Sequence, residues 1–298
     1  MSVVPIGASC RNSCKNLPIK WLKFPELLAQ VVRNKWLSLL RNIQYSRLTD
    51  PQWVAISVFL DTKRKRRIDL RDVMDAIFYI LRTGCQWRNL PDSYPHWQAV
   101  FWYFSKWKKT NIFEEINIIL NKQDRKNSGR DENPAIFSID SQSVKLSPMI
   151  WEDRGVDAHK KVNGRKRQLL VDSGGRLWFA RVHAANLHDG AAALGFMANI
   201  ICQNERLVKI YGDQAYAGVF ADEIEKHKIK FEKAAKPEST KGFVPVAKRW
   251  VVERTIAWSN FCRRIVKDYE YTTSSSTGWL YLANIQIMLQ RVHPICQT

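Results

Sequence analysis

Three acids, Asp140, Asp213 and Glu253, occupy positions from which well-separated parts of a chain can supply carboxylates to one point. Asp140 and Asp213 each close a short strand-like run, FSID and VKIYGD, and Glu253 lies on the helix-like run RWVVERTIAW. In open α/β sheets, ligand sites gather just beyond the carboxyl ends of the strands. Three carboxylates meeting there repel one another and raise each other's pKa unless a cation compensates. An oxygen-only ligand set with open positions suits Mg²⁺, with Mn²⁺ as a substitute. Two such ions activate a water and stabilise the leaving oxygen at a phosphodiester. The pattern therefore points to a nuclease or a DNA-strand transferase.

Each acid taken singly has a structural reading as well. An Asp that ends a strand serves as a turn or cap residue, and Glu253 can pair with Arg249 one helical turn away. Only the threefold pattern, in its element order, selects the catalytic reading. Asp172, in VDSGG, reads as a hairpin-turn residue, and Asp189 as the N-cap of the following helix. His183 and His188 read as structural histidines, with a place facing the site as the alternative.

Basic residues flank the acids. HKKVNGRKRQ precedes a strand, with Asn163-Gly164 as its turn, so that Lys160, Lys161, Arg165, Lys166 and Arg167 are expected to project as phosphate clamps. Arg249, Arg254, Arg263, Arg264 and Lys267 decorate the Glu253 helix and its continuation. A solvated face accounts for some of them; DNA contact accounts for their position beside the acids.

The elements that must hold these residues are legible in outline. Residues 1–45 form a basic N-terminal extension, with WLKFPELLAQVVRNKWLSLL as an amphipathic helix interrupted early by Pro25. It reads as an accessory DNA-binding arm or as an upstream-extended start. Residues 46–127 read as a helical DNA-binding domain. Thr49 and Asp50 offer an N-cap with Pro51 in the first turn. IDLRDVMDAIFYILRTG places Ile68, Val73, Ile77, Ile80 and Leu81 at helical spacing, with Gly84 as the stop. Short helices with tight turns suit a helix-turn-helix module. The helix from His96 to Lys109 is the candidate for the DNA groove, with Lys106, Lys108 and Lys109 near its end and its aromatics as core. KRKRR (63–67) reads equally as a solvated loop or a phosphate contact. KQDRKNSGRDENP (122–134) reads as a linker.

Residues 128–298 change to strand patterns. RQLLVD and LWFARVHA flank a Ser-Gly-Gly hairpin turn, and helix and strand runs then alternate as far as a helix from about Lys248 to Val266. The order β-β-β-α-β-α-β-α makes a mixed α/β sheet with helices on its faces.

The 298 residues carry a formal net charge of +19 with 45% hydrophobic residues. That combination describes a folded chain with a polyanion partner, since each phosphate neutralised releases a counterion. The six cysteines are scattered without a C-x-x-C pair, so zinc-site spacing is absent and reduced thiols are expected. No run approaches the roughly 18 apolar residues of a membrane span, and no secretory signal is evident. A cytoplasmic, nucleoid-associated location follows as an expectation.

From about Leu48 to Glu270 the chain resembles bacterial insertion-sequence transposases of the DDE class, in the insertion sequence 5 family. LTDPQW, DLRDVMDAIFYILRTGCQWRNLP and HWQAVFWYFSKW resemble that family's N-terminal helical domain. IDSQSVK, GVDAHKKVNGRKRQLLVD, GDQAY and RWVVERTIAW resemble its catalytic domain. The resemblance implies an RNase H-like fold, with Asp140, Asp213 and Glu253 as the catalytic and metal-binding acids. It also implies Mg²⁺-dependent cleavage of double-stranded DNA at inverted-repeat ends, then attack of the freed 3′-hydroxyl on target DNA. Pairing two ends implies a dimer or larger assembly on DNA. Arg249 and Glu253 match the arginine–three residues–glutamate part of the signature. The tyrosine expected before that arginine is Val246, and the basic residue expected seven positions after the glutamate is Asn260. Two other functions share these features: a DNA-binding protein without strand transfer, and a structure-selective nuclease.

Overall fold

Local capping chemistry starts the helical region where the sequence places it. In a computed structural model, residues 47–196, 200–202, 204–233 and 250–294 are described. Contacts group Arg47–Thr298 into one unit; the other unit, Met1–Ser46, with the helix expected there, lies outside the described residues. Helix α1 (Asp50–Ser57) opens on a capping box, Gln52 N–H donating to Thr49 Oγ1 and Thr49 N–H to Gln52 Oε1. Helix α2 (Leu70–Thr83) is capped by Asp69 and stopped by Gly84 at φ 72°, a left-handed residue that glycine adopts without strain. Helix α3 (Trp97–Lys109) buries Val100, Phe104 and Trp107, while Phe101 and Trp102 stay exposed, so only part of its aromatic set is core. Helix α4 (Ile112–Asn127) runs through the first half of the expected linker. Asp124 and Arg125 are buried there in ion pairs with Arg176 and Asp172, which is why the polar run KQDRKN stays helical.

The sheet comprises β1 (Ile136–Lys145), β2 (Gly155–Asp157), β3 (Val162–Asp172), β4 (Leu177–Ala184), β5 (Lys209–Gly212) and β6 (Lys230–Lys233). Its order is β2-β3-β1-β5-β6, with β4 sharing the outer edge of β3 with β2. β3 is antiparallel to β1 and β4, whereas β1, β5 and β6 run parallel. This is the RNase H-like mixed sheet that the resemblance implies. Asn163-Gly164 is no turn: both residues lie inside β3, and the hairpin tip falls at Lys160–Lys161, with Lys161 at φ 52°. Gly164 is required for a different reason, because a Cβ there would come within 2.0 Å of the Val144 carbonyl oxygen on β1.

One apolar cluster joins Phe137, Ile139, Leu170 and Ile210 of the sheet to Ala193 of α5 (Asp189–Ala193) and Phe220 and Ile224 of α6 (Val219–Lys226). Helix α7 (Trp250–Ser259) lies against β1 and β3. The single helix expected over 248–266 is two, α7 and the short α8 (Arg263–Val266). Two elements are missing from the sequence reading altogether, the short strand β2 and a long C-terminal helix. Helix α9 (Thr273–Val292) packs against β4, α2, α3 and α4, with Trp279, Leu282, Ile285 and Met288 almost wholly buried.

Candidate active site

Asp140 lies in the middle of β1, because the strand runs on past FSID to Lys145. Those further residues pair with β3 alone; Asp140 stands opposite Leu169. The parallel pairing to β5 ends with Ser138 opposite Tyr211. Two residues further along each of these parallel strands come Asp140 and Asp213, so equal spacing from a shared pair carries both acids to the point where β5 stops.

Each carboxylate is aimed by a nearby backbone donor. Ser141 N–H donates to Asp140 Oδ1 at 2.8 Å, and Ala215 N–H donates to Asp213 Oδ1 at 3.0 Å. Asp213 thereby caps the short 3₁₀ turn Gln214–Tyr216. Tyr216 is buried at the end of that turn, where burial first, then the negative charges of Asp189, Asp140 and Asp213, push its pKa well above the ordinary tyrosine range. One phenol hydroxyl thus senses three acids.

Asp189 is the member that the sequence reading missed. It is the first residue of α5, not its N-cap, which is His188. Its carboxylate accepts the Ser141 hydroxyl at 3.0 Å and pairs with Lys166 Nζ at 3.1 Å. Lys166 also donates to the Leu187 carbonyl and stands 3.9 Å from Asp157, which in turn accepts the Ser143 hydroxyl. A polar layer therefore backs the strand that carries Asp140. The signal was present in LWFARVHAANLHD, an acid five residues beyond the end of β4.

The basic residues divide by burial. Lys160 is exposed and its Nζ donates to the Ser141 carbonyl at 3.3 Å, next to Asp140. Lys161, Arg263, Lys106 and Lys109 are exposed, while Lys108 is half-buried on the Ser275 hydroxyl. Arg165 and Arg167 correct the expectation of phosphate clamps, and Arg264 that of DNA contact. Arg165 is 0% exposed and donates to the carbonyls of Glu152, Glu270 and Tyr271. Arg167 donates to the Ile265 carbonyl, and burial lowers its pKa to about 10. Arg264 pairs with Glu270 and lies over the Trp87 and Trp279 rings. Lys166 is likewise turned inward onto its acids. Arg254 is half-buried between the Trp250 and Trp258 rings. Arg249 lies outside the described residues. His183 is buried, its Nδ1 2.9 Å from the Ala184 carbonyl oxygen; burial lowers its pKa.

Glu253 is exposed in the first turn of α7, directly after residues 234–249, which lie outside the described ones. Among the described residues, no three of His, Cys, Asp and Glu stand close enough together to hold a metal ion. The structure thus brings Asp140 and Asp213 to one strand end, with Asp189 behind them, and does not gather Glu253 into a ligand group with them. The donor chemistry of the strand pair, two carboxylates with the third acid Asp189 nearby, fits a hard divalent cation.

Among the described residues no helix is long and apolar enough to cross a membrane. Among the described residues, Cys85, Cys202 and Cys262 are free thiols.

Residues 48–117 match the family model "Putative transposase of IS4/5 family". Residues 131–285, more than half of the chain, match the family model "Transposase DDE domain". The "Uncharacterized protein y4sN" of Sinorhizobium fredii (strain NBRC 101917 / NGR234) is 31% identical over 80 residues. The match covers 26% of this chain and 64% of that protein, so the chain spans less than two thirds of that curated relative. Among solved structures, the catalytic core domain of BIV integrase aligns with 49% of this chain and 80% of its own, at 11% identity and a TM-score of 0.29. The piggyBac transposase in a synaptic complex with hairpin DNA aligns with 83% of this chain and 72% of its own, at 11% identity and a TM-score of 0.45. With its sheet order, its paired strand-end acids and the match over residues 131–285, the chain belongs to the family of transposases with a DDE domain.

Proposed function

We propose that this chain is a DNA transposase that cleaves phosphodiester bonds at the inverted-repeat ends of its insertion sequence. It then joins the 3′-hydroxyl ends to target DNA by metal-dependent transesterification. The observation that carries this reading is the parallel β1–β5 pair that delivers Asp140 and Asp213 to one strand end, within the segment matched by the DDE family model.

Asp140, Asp213 and Glu253 hold Mg²⁺, or Mn²⁺ in its place. When bound, the metal supplies Lewis-acid activation of the attacking oxygen and charge stabilisation of the leaving one. Glu253 joins the pair by approach of the first turn of α7, a reading supported by the packing of α7 on β1 and β3. Ser141 and Ala215 aim the two strand acids through their N–H groups. Asp189 fixes the Ser141 hydroxyl and is itself held by Lys166. Lys160 keeps a cation beside Asp140, where a phosphate must sit. The exposed Lys106, Lys109, Lys161 and Arg263 contact DNA phosphates. Residues 46–127 bind the ends and residues 128–298 carry the chemistry, on double-stranded DNA in the nucleoid, as a dimer or larger assembly because two ends must be held at once.

The test uses the purified full chain, Mg²⁺ and a supercoiled plasmid carrying both ends of its own element. Cut and joined products are expected, and both disappear in Asp140→Asn and in Asp213→Asn. Retained cleavage in either variant overturns the assigned roles. Gel-shift binding without product identifies a DNA-binding protein lacking strand transfer, and preferential cutting of branched junctions without joining identifies a nuclease.

A further inference from the structure

Beyond its acids, β1 runs into a loop whose exposed side chains the active site does not use. Met149 is 84% exposed and Trp151 77%. Alongside runs the segment after α8, where Tyr269 is 51% and Tyr271 69% exposed. The two segments are stitched together: Leu146 bridges to Asp268, and Ser147 N–H donates to the Asp268 carbonyl at 2.9 Å.

Two arginines, the buried Arg165 and the half-buried Arg154, brace this surface. Arg165 donates to the carbonyls of Glu152 on one segment and of Glu270 and Tyr271 on the other, at 2.6–2.8 Å. Arg154 donates to the carbonyls of Ser147 and Ile150, both at 2.6 Å, so the loop winds around its own guanidinium. Apolar rings held out in water by a preorganised frame are placed for a flat partner. Cations accompany the rings: Arg154 lies 5.0 Å from the centre of Trp151, and Lys267 5.4 Å from that of Tyr269. Lys145, Lys160 and Lys161 are exposed at the same end of the sheet; the nearby acids are the half-buried Glu152, the exposed Asp153 and the buried Asp268 and Glu270, which are paired with Arg165 and Arg264. Rings with adjoining cations on a chain of net charge +19 are the chemistry that stacks nucleobases while holding phosphates. Five residues of strand, on the order of 17 Å, separate Asp140 from Lys145.

We propose that Trp151, Tyr269 and Tyr271 form a stacking platform for unpaired DNA bases a few nucleotides away from the cleaved phosphodiester, with Arg154 and Lys267 holding the adjoining backbone. The proposal rests on the DNA-transposase reading for its substrate, but its test needs no catalysis. The full chain is titrated, without metal, against its element's end in two forms, fully paired and with the last few bases mismatched. Wild type is expected to bind the mismatched form more tightly, and Trp151→Ala with Tyr271→Ala to lose about tenfold on that form alone. Trp151→Phe retains the preference, and an unchanged melting temperature shows that the variants fold. Equal binding of both forms by wild type, or an unchanged preference in the double variant, overturns the platform. So does a double variant whose only change is in sedimentation, which assigns the surface to contact between copies of the chain. A lost preference in a protein that never cuts DNA keeps the platform and overturns the transposase reading.

Discussion

Lys166 on β3 and Asp189 at the start of α5 meet at 3.1 Å, both largely buried, and the Ser141 hydroxyl joins them beside Asp140. The pair ties the polar layer to the strand that carries the first acid. Removing one member of a buried pair leaves an uncompensated charge. Lys166→Met is therefore expected to destabilise the fold by about 3 kcal/mol, with Asp189 and Asp157 both left short of a cation. Urea unfolding measures it, and adding Asp189→Asn should restore part of the loss. An unchanged midpoint in Lys166→Met would show that the pair contributes nothing.

Asp75 gives the stability a pH dependence. Its side chain is buried in α2 and accepts the Leu48 N–H at 2.7 Å. Burial raises its pKa from the ordinary 3.8 to about 6, against the lowering effects of the Leu48 N–H and of Arg47 and Arg71, with Asp72 adding to the rise. Between those two values the folded chain keeps a proton that the unfolded chain releases, so this residue's contribution to stability falls as pH rises. Below the lower value and above the upper one, it no longer varies. Asp75→Asn keeps an acceptor for Leu48 and does not titrate. Its urea midpoint should drop less than that of wild type between pH 4 and pH 6.5; parallel drops refute the assignment.

The cap signals, and β-rich runs around a Ser-Gly-Gly turn, made α1, α2 and the β3–β4 hairpin legible, since these depend on neighbours in sequence. Asp140 and Asp213 were legible for the same reason: each follows a run of apolar strand residues. Helix α9 was not, because WLYLANIQIML is buried on nearly every side and shows no polar stripe to mark its period. Nor was the burial of Arg165 and Arg167 legible. In sequence, RKR resembles a solvated run, and only the fold brings distant carbonyls to those guanidiniums. Glu253 was named from its place on a helix-like run in the three-acid pattern, which says nothing of how far α7 stands from the strands.

Three asparagines fasten α9 to the sheet. Asn284 accepts the Leu177 N–H at 3.2 Å and donates to the side-chain oxygens of Asn117 and Asn121. Those two in turn donate to the Leu177 carbonyl. All three are buried. Asn284→Ala strands one backbone N–H and two amide oxygens without water, at about 1–3 kcal/mol for each buried group left unsatisfied. A loss of at least about 2 kcal/mol is expected in denaturant unfolding. A loss below about 0.5 kcal/mol would mean that water replaces the amide, and would remove the network from the account of what holds α9.

Asp213 should respond to substitution with opposite signs in the absence and presence of metal. Without an ion, its carboxylate shares a strand end with Asp140 and has Asp189 nearby, and like charges so placed repel. Asp213→Asn keeps an oxygen for the Ala215 N–H and removes one charge, so the metal-free variant should melt about 1–3 °C higher than wild type. With Mg²⁺ the order reverses. An ion bound only by the folded state adds about 1.4 kcal/mol when its concentration is tenfold above Kd. Wild type should gain that increment and the variant should not. Thermal melts of both proteins, with chelator and with a series of Mg²⁺ concentrations, separate the two effects. A wild-type melting temperature indifferent to Mg²⁺ and Mn²⁺ would remove the metal from this strand end, and equal gains in both proteins would remove Asp213 from its ligands.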